Sequence, residues 1–356
     1  LMVGMGSALV LAADAPLRVR TVLGGEYWWS PPTDAYLDYL GEVRPDVIHG
    51  AVLGPELASG LDVHGARKAI TPLHPDTAPT MRAYLDWWRA YLRSIHRRGI
   101  KVQATISLVN AWGDADRQTG WFDYYNQRWE TDLLGPRPAE RAESLMEWDT
   151  PDLLGRNEGQ PGWYRYRGCI NHPAWREILK AFVRTGIETG FDGFMIQFGH
   201  ARGACVCAHC QAEFRRFLSG RSRDDLAALG ITDLSNHVFS FTAPRPGQLD
   251  PLDLAAREFT EERIAAVCEE VFIRYGRSLK PDLLVSKWFH FRQFLGDDTG
   301  NTNLAALVDE RSLIPADRWC RGEDYVWYST PVYRSDLKSG KTGDAALEGR
   351  YLRAIC

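Results

Sequence analysis

Residues 203–218, GACVCAHCQAEFRRFL, place Cys205, Cys207 and Cys210 within six positions. Deprotonated sulfur is a soft ligand, and C-x-C-x-x-C predicts a zinc ion in a closed tetrahedral site. Such a site needs a fourth ligand. Cys169, in YRGCINHP, is the expected one, with His200, His209 and Cys320 as rivals. Sulfur-saturated zinc has no position for water, so the centre reads as a clamp on its loop; a water in the fourth position would make it catalytic instead. The alternative is a disulfide to Cys169 with one thiol left over, which an exported protein permits. Seven cysteines is an odd number, and their spacing shows no repeated disulfide framework.

A chain of 356 residues, 45% hydrophobic and 25% charged, can bury a large core as one big domain or two ordinary ones. A net charge of −4 without any Lys/Arg run offers no footprint for nucleic acid or for a membrane surface. No segment is apolar for long enough to be an integral membrane helix, and oligomeric state is not legible. Residues 1–16 include MVGMGSALVLAADA, which resembles the apolar region and cleavage site of a signal peptide and implies a secreted or periplasmic protein; a buried first strand or helix is the alternative. Aromatic residues are abundant, with 13 Trp and 14 Tyr. Many fall in EYWWSPP, NAWGD, GWFDYYNQRWE and GWYRYRG, which read as loops offering stacking surfaces.

These groups need a frame. RVRTVLGG, DVIHGA, IKVQATISLV, FDGFMIQFG, LLVSKWFHF and DYVWYS are short apolar runs of the kind that form buried parallel strands. Between the second and third, Met81, Tyr84, Leu85, Trp88, Tyr91, Leu92 and Ile95 recur at helical spacing up to Gly99. Between the third and fourth, Trp175, Ile178, Leu179, Phe182 and Val183 do the same, with Pro173 at the start and Gly190 after the end. Alternation of this kind predicts an α/β fold, either a (β/α)8 TIM-type barrel or a doubly wound sheet. VLGGEYWW lacks the G-x-G-x-x-G turn of a dinucleotide-binding sheet, which favours the barrel. The barrel is expected over residues 17–356, with insertions at about 109–172 and 220–250. Six strands against the eight of a closed barrel predict truncation at the C-terminal end.

The segments TMRAYLDWWRAYLRSIHRRGIKV, YRGCINHPAWREILKAFVRTGIETGFDGFMIQ, CVCAHCQAEFRRFL and GEDYVWYS together resemble a glycoside-hydrolase-like barrel family, the fucosidase-like and hypothetical glycosidase group, over about residues 17–354. The cysteine cluster is also similar to the structural zinc site of some β-galactosidases. The resemblance implies a barrel and a carbohydrate substrate, and does not specify the sugar.

Glycoside cleavage takes one carboxylic acid to protonate the leaving oxygen and one carboxylate as nucleophile or base. The resemblance would put a carboxylate at the end of the fourth strand run, where this chain has Gln197, so a fucosidase-like nucleophile does not transfer. Acids near other strand runs are Glu26, Asp114, Asp116, Glu323 and Asp324; Glu323 is the first candidate, Asp114 the second, with Asp324 beside the first. Their bland readings are a salt-bridged Glu323 and a turn-forming Asp114. Lys287 and His290 are candidates for binding hydroxyls or a carboxylate. Trp28, Trp112 and Trp288 are candidates for stacking on sugar rings, and Glu26 and Gln197 complete the expected contacts. A non-catalytic carbohydrate-binding barrel is the competing reading. A zinc hydrolase of another class finds no H-E-x-x-H pair.

Overall fold

A computed structural model describes residues 22–24, 34–60, 80–147, 152–155, 163–197, 205–239, 251–290 and 322–329. The strands among them are β1 (Val22–Gly24), β2 (Val47–Leu53), β3 (Lys101–Ser107), β4 (Asn110–Asp114), β5 (Thr119–Gly120), β6 (Asp152–Gly155), β7 (Trp163–Arg167), β8 (Gly193–Gln197), β9 (Leu284–His290) and β10 (Tyr325–Ser329). The helices are α1 (Asp34–Val43), α2 (Pro55–Gly60), α3 (Met81–His96), α4 (Trp121–Gln127), α5 (Thr131–Leu134), α6 (Pro173–Thr189), α7 (Ala208–Leu218), α8 (Arg223–Ala228), α9 (Pro251–Cys268) and α10 (Gly276–Leu279), the last two joined by a π-helical turn, Glu269–Tyr275.

All six apolar runs become strands of one sheet, ordered β1-β2-β3-β8-β9-β10, with every neighbouring pair parallel. The order follows the chain without reversal, which is the winding of a barrel; a doubly wound sheet reverses at a switch point. Among the described residues β1 and β10 are the two edges and do not pair with each other.

Strand alternation sorts the sheet's side chains onto two faces. Ile48, Val102, Ala104, Ile106, Phe194, Ile196 and Val285 join the main hydrophobic core with the helices. Register places His49 beside Gln103, Thr105 beside Met195, and Met195 and Tyr325 beside Ser286, which puts these residues on the opposite face. That face is buried but polar. Ser286 Oγ donates to Gln103 Oε1 at 3.1 Å, the Tyr325 hydroxyl donates to the same oxygen, and His49 Nε2 lies 3.2 Å from the Tyr325 hydroxyl.

The helices form for the reasons their sequences give. Thr80 caps α3, its Oγ1 accepting from Ala83 N at 3.1 Å, and Met81, Tyr84, Leu85, Trp88, Leu92 and Ile95 are buried as one stripe. Pro173 opens α6 and Gly190, at φ 111°, closes it in the left-handed conformation that glycine adopts without strain. Phe214, Leu218, Ile231, Phe239, Ala255, Ala256 and Phe259 form a second core, joining α7 and α9 to the segment after α8.

Residues 110–167 depart from the loop reading. The described residues among them form an antiparallel sheet, ordered β5-β4-β7-β6, with α4 packed beside it and α5 against α6. NAWGD is β4, WFDYYNQ is α4 and WYRYR is β7. Trp121, Phe122, Tyr124 and Tyr125 are fully buried, and Trp121 meets Trp175 of α6 edge to face at 5.8 Å. The α4 aromatics, expected on a sugar-binding surface, are here part of the hydrophobic core. EYWWSPP lies outside the described residues.

Candidate functional site

Cys169 follows β7 and directly precedes α6, whose N-terminus stands at the end of the parallel sheet where the strands finish. Its N–H donates to Leu145 O at 2.8 Å, and its carbonyl accepts from His172 N at 2.9 Å. Cys207 occupies the N-cap position of α7, with Cys205 before it and Cys210 in the first turn. The structure brings Cys169 to the other three: all four sulfurs lie within 4.8 Å of one another, and none is in a disulfide. Cys169 Sγ is 3.7 Å from Cys207 Sγ and 3.4 Å from Cys210 Sγ. Zinc–sulfur bonds of about 2.3 Å in a tetrahedron set sulfurs about 3.8 Å apart, so the donor set fits a metal with little adjustment. Sulfur-to-sulfur hydrogen bonds from Cys205, Cys207 and Cys210 push the Cys169 thiol up, while those from Cys169, Cys205 and Cys210 pull the Cys207 thiol down. His209 instead packs on His172, ring centroids 4.3 Å apart; His200 and Cys320 lie outside the described residues.

Gln197 ends β8, its carbonyl accepting from Leu108 N at 2.7 Å, and it pairs in register with Ser107 and Trp288. His290 is the last residue of β9, paired with Ser329. Glu26 and Trp28 lie outside the described residues.

The two adjacent acids stand at the other end of the sheet. Glu323 and Asp324 precede β10, whereas a barrel's chemistry gathers where strands finish. Glu323 pairs with Lys287 Nζ, with 1% and 3% of the two side chains exposed. Lys287 therefore meets a carboxylate of its own chain; both charges act on the thiol of Cys268 in α9, which burial pushes up to about 12. Asp324 accepts from Val285 N at 2.8 Å and from Arg277 Nη2 at 3.0 Å, and its own N–H donates to Val285 O at 2.8 Å. Asp192, before β8, does the same to Val102: its carboxylate accepts from Val102 N and from His96 Nε2, and its N–H donates to Val102 O. One device, a carboxylate bracketing a neighbouring strand's first peptides, thus recurs at the sheet's N-terminal end.

Asp114 ends β4 in the antiparallel sheet and accepts from Arg117 N at 3.0 Å, the hydrogen bond of a turn. Trp112 is half-buried on the same strand, opposite Arg165, and its N–H donates to Ser59 Oγ at 2.9 Å.

Glu56 is absent from the sequence reading. Gly54, at φ 91°, turns the chain straight from β2 into α2, and Pro55 starts that helix, so Glu56 falls three residues beyond the end of β2. It is buried, and its Oε2 has no hydrogen-bond partner among the described residues. Burial pushes its carboxyl up to about 8, against a partial pull downward from Arg165. The available signal was LGPE, a strand end, a turn and an acid. Ending the second strand run at Ala51 instead of Leu53 hid it.

No family model and no curated protein sequence matches the chain. Among solved structures it is similar to a β-galactosidase from the Antarctic haloarchaeon Halorubrum lacusprofundi, at 16% identity and TM-score 0.45, over 88% of this chain and 40% of that one. It is also similar to α-L-fucosidase isoenzyme 2 from Paenibacillus thiaminolyticus, at 15% identity and TM-score 0.35, over 75% and 32%. A morphinone reductase aligns at 13% identity and TM-score 0.36, over 91% and 74%. The chain thus spans less than half the length of the β-galactosidase. No helix among the described residues is long and apolar enough to cross a membrane.

Proposed function

We propose that the chain is the barrel part of a secreted or periplasmic carbohydrate-active protein of glycoside-hydrolase type, with zinc held by Cys169, Cys205, Cys207 and Cys210 as a structural clamp. The observation that carries the enzymatic reading is Glu56: a buried carboxyl at the finishing end of β2, pushed up to about 8. A general acid for glycosidic oxygen must hold its proton at neutral pH, and burial is how a carboxyl does so. Asp114, on the strand against which α2 is pinned through Ser59, is the proposed second carboxylate. Gln197, Trp112, Trp288 and His290, with Glu26 and Trp28, are the proposed sugar contacts. Lys287, Glu323 and Asp324 are assigned to holding the sheet's opposite end together.

The test is turnover of a panel of chromogenic glycosides by the wild type, Glu56→Gln and Glu323→Gln. Loss of proton transfer in Glu56→Gln should lower kcat about 10²–10⁴-fold with sugar affinity little changed. Normal turnover by that variant would move the acid elsewhere. The second reading is a non-catalytic sugar-binding barrel. Gln197, at the end of β8, favours it, because an amide cannot act as nucleophile or general base there. Sugar binding without turnover on any glycoside would establish it.

A further inference from the structure

Four thiolates around a divalent ion leave a net charge of −2, and burying that charge is costly unless hydrogen bonds and a counter-charge offset it. Three of the four cysteines are buried. Asn171, two residues after Cys169, donates from Nδ2 to Cys210 Sγ at 3.3 Å. Its other amide atom, Oδ1, accepts from Arg263 Nε at 2.8 Å. The two partners fix the amide's orientation: turned over, it would present oxygen to a sulfur and N–H groups to a guanidinium.

Arg263 reaches this position from α9, a separate element from those that carry the cysteines. Arg263, Thr260 and Asn171 line the same small cavity as Cys169, Cys205 and Cys210. Arg263 Nη1 lies 3.6 Å from Glu213 Oε2 on α7, an ion pair that helps to hold the guanidinium in place. Burial lowers the Arg263 pKa and the Glu213 carboxylate raises it in part; an arginine stays charged under such opposing influences.

We propose that Arg263 is the charge-balancing positioning residue of the cysteine centre, acting through Asn171 on Cys210. The guanidinium polarises the Asn171 amide, which strengthens its N–H donation to the Cys210 sulfur and holds that sulfur in place beside the other three. This rests on the reading of the four cysteines as a metal site. Outer partners of this kind typically change metal affinity about 10–100-fold when removed.

The experiment uses the full chain loaded with zinc, and with cobalt(II) in parallel, and follows metal release to a chromophoric chelator and the cobalt–thiolate absorption band. Arg263→Met should release metal about 10-fold faster and shift the band, with Arg263→Lys in between. Asn171→Leu should match Arg263→Met, and the double variant should be no worse than either single one, because both remove the same relay. Urea unfolding of the metal-stripped variants should stay close to that of the stripped wild type. Equal release rates and an unshifted band in Arg263→Met would overturn the relay alone. A wild type that takes up neither ion would overturn the metal reading beneath it. Additive losses in the double variant would show Arg263 acting by another route and would also overturn the proposal.

Discussion

The imidazole of His49 on β2 and the hydroxyl of Tyr325 on β10 lie 3.2 Å apart, although their strands stand four places apart in the sheet. In a flat sheet four strand spacings amount to about 19 Å. The sheet is therefore rolled, and its inner face is filled at this level by side chains from β2, β3, β9 and β10 that hydrogen-bond across the interior. Tyr325→Phe removes the donor to Gln103 and leaves buried polar atoms short of a partner. It should lower stability by about 1–3 kcal/mol, read from the urea midpoint.

Burial holds the His49 imidazole down at about 4, opposed in part by a hydrogen bond with Gln103. The unfolded chain then takes up this proton before the native one does. Stability from this group is present above about pH 6.5 and is lost as pH falls toward 4. A His49→Gln variant should show a shallower acid limb in stability-versus-pH curves, and an unchanged limb would mean that the ring is solvated.

Glu56 has the opposite sign. With its carboxyl pushed up to about 8, the native state keeps a proton that the unfolded chain has released, so stability falls as pH rises from about 4.5 to 8. Glu56→Gln should flatten that slope and be more stable than the wild type at pH 8. Parallel slopes in the two proteins would contradict the buried, protonated state on which the proposed acid role depends.

The Lys287–Glu323 pair should behave as a buried ion pair that cannot lose one member. Glu323→Gln or Lys287→Met alone should cost about 3–5 kcal/mol, whereas replacing both with apolar residues should be far milder. A chemical-denaturation double-mutant cycle reads this directly. Loss of turnover without loss of stability in Glu323→Gln would return that residue to the catalytic list.

Zinc analysis tests the clamp. About one ion per chain is expected in reduced, unchelated protein, and Cys207→Ala should bind it weakly and unfold at lower urea. Stoichiometric zinc in the alanine variant would mean that Cys207 is not a ligand.

The central parallel strands were legible because β2, β3 and β8 are buried on both faces and so are short, nearly continuous apolar runs; Gly193–Gln197, GFMIQ, is the clearest case. Alternation with helices, and the lack of a G-x-G-x-x-G turn after the first run, then favoured a barrel. The antiparallel sheet and α4 were not legible, because Trp112, Trp121 and Tyr166 sit in short segments whose polar neighbours, Asp114, Asp123 and Arg167, break any period of two or of 3.6 residues. Their burial comes from packing between β4, β7, α4 and α6, which no local pattern encodes. For the site, thiol spacing identified three of the clustered cysteines, and Cys169 followed from barrel geometry. The acids were harder. A carboxylate just before a strand and one just after it look alike in sequence, yet Asp324 and Glu56 stand at opposite ends of the sheet.

Cys169 meets Cys207 and Cys210 across 38 and 41 residues of chain, and what lies between them is α6 and β8, the helix and strand at the middle of the parallel sheet. A link at that point closes a loop of about 40 residues, which in the chain-entropy treatment is worth about 4 kcal/mol against the unfolded ensemble. Bound metal would make that helix and strand one cooperative unit that opens only when the clasp does. Slow hydrogen exchange along α6 and β8 would then track metal occupancy, while the outer strands β1 and β10 would exchange on their own schedule.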